Sequence, residues 1–309
     1  MGAAREVGVS VSRGGSLLFF FHLLTSGLSN GGLYALVALG LITIYRATLV
    51  VNFAHGEVFM LGAFFGYMFH VTLSLPYAAS LVLAVASSLL LGVATERIAY
   101  RPLARASTVS LVLASVGFSF VLKGFARVTW GGKGDYIAFP PIFSFPPLQM
   151  AGLILVPQNL VILGGALTFM VVLWAFFRYT KLGKMMRATA ENQRAAALVG
   201  IRIERVFAIT WGIGSCLGAG AGLLMAPVTL LYPDMGATLL VQAFAAAILG
   251  GFGSMPGAVV GGFVVGLVES FVGGYLGSQY ITAAPFVIIL AVLVVRPAGL
   301  LGTREIVKV

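Results

Sequence analysis

Residues 206–225 read Val-Phe-Ala-Ile-Thr-Trp-Gly-Ile-Gly-Ser-Cys-Leu-Gly-Ala-Gly-Ala-Gly-Leu-Leu-Met, without a single charge. A hydrocarbon core about 30 Å thick is crossed by roughly 20 apolar residues in a helix, so this stretch is predicted to span a bilayer. Further apolar stretches flank it at 17–45, 53–73, 76–98, 109–128, 159–177, 239–252, 257–277 and 280–295. The chain of 309 residues is 60% hydrophobic and 9% charged, whereas a soluble domain carries about a quarter charged residues. Too few polar groups remain to coat a folded surface in water, so lipid must cover part of it. A soluble enzyme, a secreted disulfide scaffold and a disordered chain are excluded. The lone cysteine, Cys216, permits neither an internal disulfide nor a zinc cluster. The predicted fold is all-α, a polytopic transmembrane helical bundle forming one domain over 1–309.

The formal net charge is +10. In a soluble protein that would suggest nucleic acid, but these basic residues gather in short loops between apolar runs, as orientation signals do. Arg97, Arg101 and Arg105 form one cluster. Arg178, Lys181, Lys184, Arg187, Arg194, Arg202 and Arg205 form the largest, opposed by Glu191 and Glu204. Arg296, Arg304 and Lys308 mark the C-terminus, Arg5 and Arg13 the N-terminus. The positive-inside rule predicts a multi-pass membrane protein with a cytoplasmic tail (1–15), a cytoplasmic loop (178–205) and both termini inside. The same patches suit anionic membrane lipid. Nothing in them reads nucleic acid.

Two crossings separate Arg105 from Arg178 and four separate Arg205 from Arg296, which is self-consistent. Three stretches lie between Arg13 and Arg97, an odd number. Either the N-terminus is outside or one stretch crosses only in part. The 53–73 stretch is the first suspect, since Asn52, His55, Gly56 and Glu57 stand at its start. Irregular backbone and polar groups persist at membrane depth only beside protein or a water-filled cavity. The glycine-rich step at 27–32 is the rival. The expectation is about eight full crossings plus one partial segment. The apolar opening at 17–24 could be a secretory signal, but the pattern resumes at Leu33 and reads as the first span. The 129–157 linker, with Asp135, Pro140, Pro141, Pro146, Pro147 and Pro157, falls outside by parity. A loop of that length suits docking of an external partner.

Many of the 40 glycines sit four apart, among them Gly62/Gly66 and Gly257/Gly261. Small residues on one helix face let backbones approach closely. A shift of 199 residues lays Phe53 on Phe252, Gly62 on Gly261 and Phe64 on Phe263, a faint internal repeat of the kind whose interface holds transporter sites.

Ionisable groups inside apolar spans are costly and so point to function. His55 and Glu57 follow Asn52; Glu269 lies in the penultimate stretch, His22 in the first, and Arg46, His70, Asp234 and Gln242 near ends. His55 and Glu57 read either as a pair bonded to neighbouring helices or as groups touching solute. Glu269 reads as bonded to a neighbouring helix. The scattered histidines form no metal motif, and no Gly-x-Ser-x-Gly elbow occurs. Gly132-Lys133-Gly134 and Gly183-Lys184-Met185 lack the hydroxyl that a phosphate-binding loop needs next. Any energy from ATP must therefore enter through another subunit.

Residues 185–199 are rich in Ala, Leu, Met, Arg and Gln, which predicts one amphipathic helix stopped by Gly200. Such a helix lies on headgroups or docks into a partner's groove.

Three blocks carry a resemblance. They are Gly-Leu-Tyr-Ala-Leu-Val-Ala-Leu-Gly-Leu (32–41) leading to Val-Asn-Phe-Ala-His-Gly-Glu-Val-Phe-Met-Leu-Gly-Ala (51–63); Arg-Ala-Thr-Ala-Glu-Asn-Gln-Arg-Ala-Ala-Ala-Leu-Val-Gly-Ile (187–201); and Ala-Ala-Ala-Ile-Leu-Gly-Gly-Phe-Gly-Ser-Met-Pro-Gly-Ala-Val-Val-Gly-Gly (245–262). Together they resemble the permease subunits of branched-chain amino acid ABC importers, a family that includes urea and amide permeases. The resemblance implies a second homologous permease subunit, two cytoplasmic ATPase subunits holding ATP and Mg, and a periplasmic solute-binding protein. It implies no cofactor and no catalysis in this chain. The 185–201 segment becomes the coupling helix, with Thr189, Glu191, Asn192, Arg194 and Gly200 as its contacts. A path for a small zwitterion with an apolar side chain would be mainly apolar, with Tyr34, Asn52, His55, Glu57 and Gln242 as polar handles. A stand-alone channel or ion-driven carrier is the competing reading; such a carrier needs several carboxylates at mid-membrane, where only Glu57 and Glu269 stand.

Overall fold

In the computed structural model, which describes residues 13–103, 106–131, 136–141, 148–150 and 153–302, every apolar stretch becomes a helix. The order is α1 (Arg13–Thr48), α2 (His55–Tyr67), α3 (Tyr77–Thr95), α4 (Thr108–Trp130), β1 (Leu148–Met150), β2 (Leu153–Leu155), α5 (Pro157–Tyr179), α6 (Lys181–Glu191), α7 (Gln193–Leu198), α8 (Ile203–Met225), α9 (Met235–Gly250), α10 (Met255–Phe271) and α11 (Ala284–Val295). The strands form a short antiparallel hairpin in the 129–157 linker. Among the described residues, six helices (α1, α3, α4, α5, α8 and α10) are long and apolar enough to cross a membrane. By contrast α2, α9 and α11 have 13, 16 and 12 residues. Asp135, Pro146 and Pro147 of the linker, residues 1–12 of the tail, Arg105, Arg304 and Lys308 lie outside the described residues.

Burial sorts these helices. The apolar windows of α1 and α8 are 89% and 78% buried, against 22–28% for α3, α4 and α5. The first two form the core, and the other three turn most of their surface to lipid. Between helices in lipid there is little hydrophobic drive, so close packing of small residues does the work. A Cβ added at Gly31 would lie 2.8 Å from Phe263 Cα of α10. The rival break at 27–32 therefore does not exist: α1 is continuous, and its glycines admit α10. Gly62 seats on Ala219 and Gly66 on Leu223 of α8, while Gly257 and Gly261 of α10 seat on Gly250 and Ala246 of α9. Gly261→Leu is expected to cost roughly 1–3 kcal/mol or more by overpacking, read as a lower melting temperature in detergent. Gly117→Ala, with nothing within 4 Å of the new methyl, is expected to be neutral or gain up to about 1 kcal/mol.

The true interruption precedes α2. Leu49 leaves α1 at φ 56°, in the left-handed region where a side chain is strained, and helix resumes only at His55. Both α2 and α10 follow a non-helical step (49–54 and 251–254) and run on into a π turn, Met68–Thr72 and Val272–Leu276. The 199-residue echo is thus one of element order.

One end of the bundle gathers most of the basic residues. There Gln193 Nε2 donates to the Ala47 carbonyl at 2.8 Å, and Arg101 pairs with Glu204 at 3.5 Å. At the same end Tyr45 packs on Phe252 and the Leu301 N–H donates to the Gly250 carbonyl at 2.9 Å. The start of α1 lies at the opposite end, where Ser270, late in α10, donates to the Leu23 carbonyl at 2.7 Å. The start of α1 and the last described residues therefore sit at opposite ends of the bundle. The physical reason is that the 49–54 step and α2 together traverse the bundle instead of turning back.

Candidate functional site: a chamber beside two short helices

Being too short to span, α2 and α9 begin inside the bundle. Their first turns touch backbone to backbone, Gly56 against Gly236, with no room for a Cβ on either. Both helix N-termini carry partial positive charge, which favours a carboxylate in the first turn. Glu57 stands in the first turn of α2, and Asp234 is the residue immediately before α9. A cation from α4 joins them: Lys123 Nζ lies 3.2 Å from Glu57 and 3.5 Å from Asp234, and Arg127 pairs with Asp234 at 2.6 Å. The side chains of Lys123 and Glu57 are only 14% and 3% exposed. Sequence reasoning missed Lys123, although a single lysine two thirds of the way along an apolar run was a visible signal.

Next to this junction lies a chamber of about 200 Å³, walled by Phe59, Met225, Met235 and Leu239 and floored by Tyr34 and Gln242. The Tyr34 hydroxyl donates to Glu269 Oε2 of α10 at 2.6 Å. Tyr232 separates this chamber from a wider one of about 430 Å³ that holds Arg127, Tyr136 and Asp234. The Tyr232 ring packs against Tyr136 with centroids 5.3 Å apart, and the neighbouring Leu231 forms a backbone bridge with Ile137.

Of the five expected pathway residues, Tyr34 and Gln242 meet in the chamber. The other three do not line it. Asn52 Oδ1 accepts from the Ala54 N–H at 2.9 Å and from the Tyr100 hydroxyl at 3.2 Å, tying the break to the end of α3. His55 is fully buried, its ring against Gly40 of α1 and Gly218 of α8. Glu57 faces α4 through Lys123.

At the basic end, the single helix expected over 185–199 is two. Asn192 adopts φ −156°, ψ 106°, ending α6, and its side chain accepts from the Ala195 N–H at 3.0 Å to cap α7. An asparagine that bonds its neighbouring backbone competes with the helix that surrounding propensities favour. Thr189 is buried and donates to the Met185 carbonyl at 2.9 Å, whereas Glu191 and Arg194 are exposed. Gly200 follows at φ 86°, a left-handed stop that glycine takes without strain. Beyond α7's core-facing Ala196, Leu198 and Val199 are 89% and 77% exposed.

The family described as "Branched-chain amino acid transport system / permease component" matches residues 23–295. The chain is 32% identical to the high-affinity branched-chain amino acid transport system permease protein LivH of Escherichia coli (strain K12), over 94% of this chain and 98% of that one. It is 33% identical to BraD of Pseudomonas aeruginosa over the same shares. A probable LivH of Methanocaldococcus jannaschii is 27% identical over 91% of this chain and 92% of that one. PsaBC from Streptococcus pneumoniae in complex with Fab overlays 90% of the chain and 93% of its own with TM-score 0.48 and 13% identity, too loosely to bear on function. Matched along nearly its whole length, this multi-pass membrane protein belongs to the branched-chain amino acid ABC permease family.

Proposed function

We propose that this chain is the membrane conduit of an ATP-driven importer for branched-chain amino acids. In this reading it works with a second related permease, two cytoplasmic ATPase subunits that bind ATP and Mg, and an external solute-binding protein. The observation that carries it is near full-length similarity to permeases named for that transport. The mainly apolar chamber with its few polar groups supports the solute class. The basic end faces the cytoplasm, by the positive-inside rule, so α1 starts outside. The exposed α6–α7 segment at that end receives the ATPase, with Glu191 and Arg194 among its contacts. Movement there tilts the bundle between outward- and inward-facing states around the chamber. ATP supplies differential binding energy that shifts the two populations, and this chain makes or breaks no covalent bond.

The test is uptake into proteoliposomes holding the complete complex. Labelled leucine is expected to accumulate only with ATP and the binding protein, and urea to be ignored. ATP-independent leucine flux through this chain alone would overturn the reading in favour of a channel, and preferential urea uptake would move the solute to another branch of the family.

A further inference from the structure

Resting on that reading, we infer that the chamber between α1, α2, α8 and α9 holds the transported amino acid by its ammonium group, received by Tyr34 and Gln242 with Glu269 behind them. The hydroxyl of Tyr34 has one proton, and it is committed to Glu269 Oε2 at 2.6 Å. Toward the chamber the oxygen can therefore only accept. Gln242, 8% exposed, has Oε1 buried without a hydrogen-bond partner, and its amide interacts with the carboxylate of Glu269, itself 4% exposed. No lysine, arginine or histidine lines the chamber among the described residues. The floor thus holds buried acceptors backed by a carboxylate, while the hydroxyls of Thr229, Tyr232 and Thr238 line the same space and no cationic side chain does. Such groups are costly to bury unless a ligand supplies the protons. An ammonium brings three N–H donors and the opposite charge. The walls above, Phe59, Met225, Met235 and Leu239, offer apolar surface to a branched aliphatic side chain, and about 200 Å³ suits a molecule of that size. Glu269 does not line the cavity. It acts through Tyr34 and is a positioning residue, a role beyond the neighbour-helix contact that its place in a span suggests.

The experiment uses the complete complex in proteoliposomes and a diazirine analogue of leucine, photoactivated during turnover. In the wild type, adducts are expected on Phe59, Met225 or Met235, and excess leucine should suppress them. Glu269→Gln should cut both chamber adducts and uptake by about tenfold or more, the scale of a lost hydrogen bond to a charged group. ATP hydrolysis stimulated by the binding protein should continue, and Glu269→Asp should recover part of the loss. Gln242→Leu, close in size, should lose adducts likewise and covers the case in which Glu269→Gln does not fold. Adducts elsewhere in the chain, or unchanged adducts in both variants, would overturn the inference while leaving the transport reading intact. Absence of leucine uptake by the wild type would overturn the transport reading itself.

Discussion

Lys123→Met is expected to destabilise the protein by roughly 3–5 kcal/mol, because removing one partner of a buried pair strands the other charge. Glu57 is that stranded charge: it lies 3.2 Å from Lys123 and is 3% exposed. Asp234 keeps Arg127 at 2.6 Å, so the loss falls on α2. Adding Glu57→Gln to Lys123→Met should return most of the stability, since deleting both members of a buried pair is often close to neutral. Arg127→Met, whose pair is about half exposed on both sides, should cost less than about 1 kcal/mol. Thermal unfolding in detergent of the wild type, Lys123→Met, Glu57→Gln and their double variant closes the cycle, with Arg127→Met as the exposed-pair control. A single lysine variant as stable as the double would show that the pair does not hold α2 to α4.

The second large effect concerns coupling. Asn192→Ala removes the extended residue that divides α6 from α7 and the cap on Ala195. Alanine is the best helix former, so the two helices should merge and re-aim Leu198 and Val199. Solute moved per ATP hydrolysed should fall about tenfold, within the usual range of a coupling free energy, with insertion in the membrane unchanged. Replacing Glu191 and Arg194 by bulky residues should uncouple in the same way without altering the helix break. An unchanged transport ratio in both variants would count against this segment as the motor contact.

Which of these features were visible in the sequence follows from how local their causes are. Runs of 20 or so apolar residues need no partner to be recognised, and the helices lie where the runs lie. The polar start of α2 was legible for the same reason: Asn52, His55 and Glu57 crowd six positions. Tertiary causes were not. Gly27 and Gly31 read equally well as a break or a packing face, and only α10 lying against them decides for packing. Lys123 stood out as a lone charge in an apolar run, but its role was hidden because its partners Glu57 and Asp234 lie far away in sequence. Tyr34 and Glu269 are 235 positions apart, so Glu269 showed as a costly charge but not as Tyr34's acceptor. Asn192 was misread because summed propensity outweighed one side chain able to bond its own backbone.

Site-specific photo-crosslinking from position 198, in the assembled complex within native membranes, tests most directly whether an ATPase drives this conduit. The expected product is a covalent adduct with the ATPase subunit, its yield changing between nucleotide-free and ATP-trapped states. Position 198 reacting only with reagents applied from outside the cell, with no such adduct formed, would contradict the account.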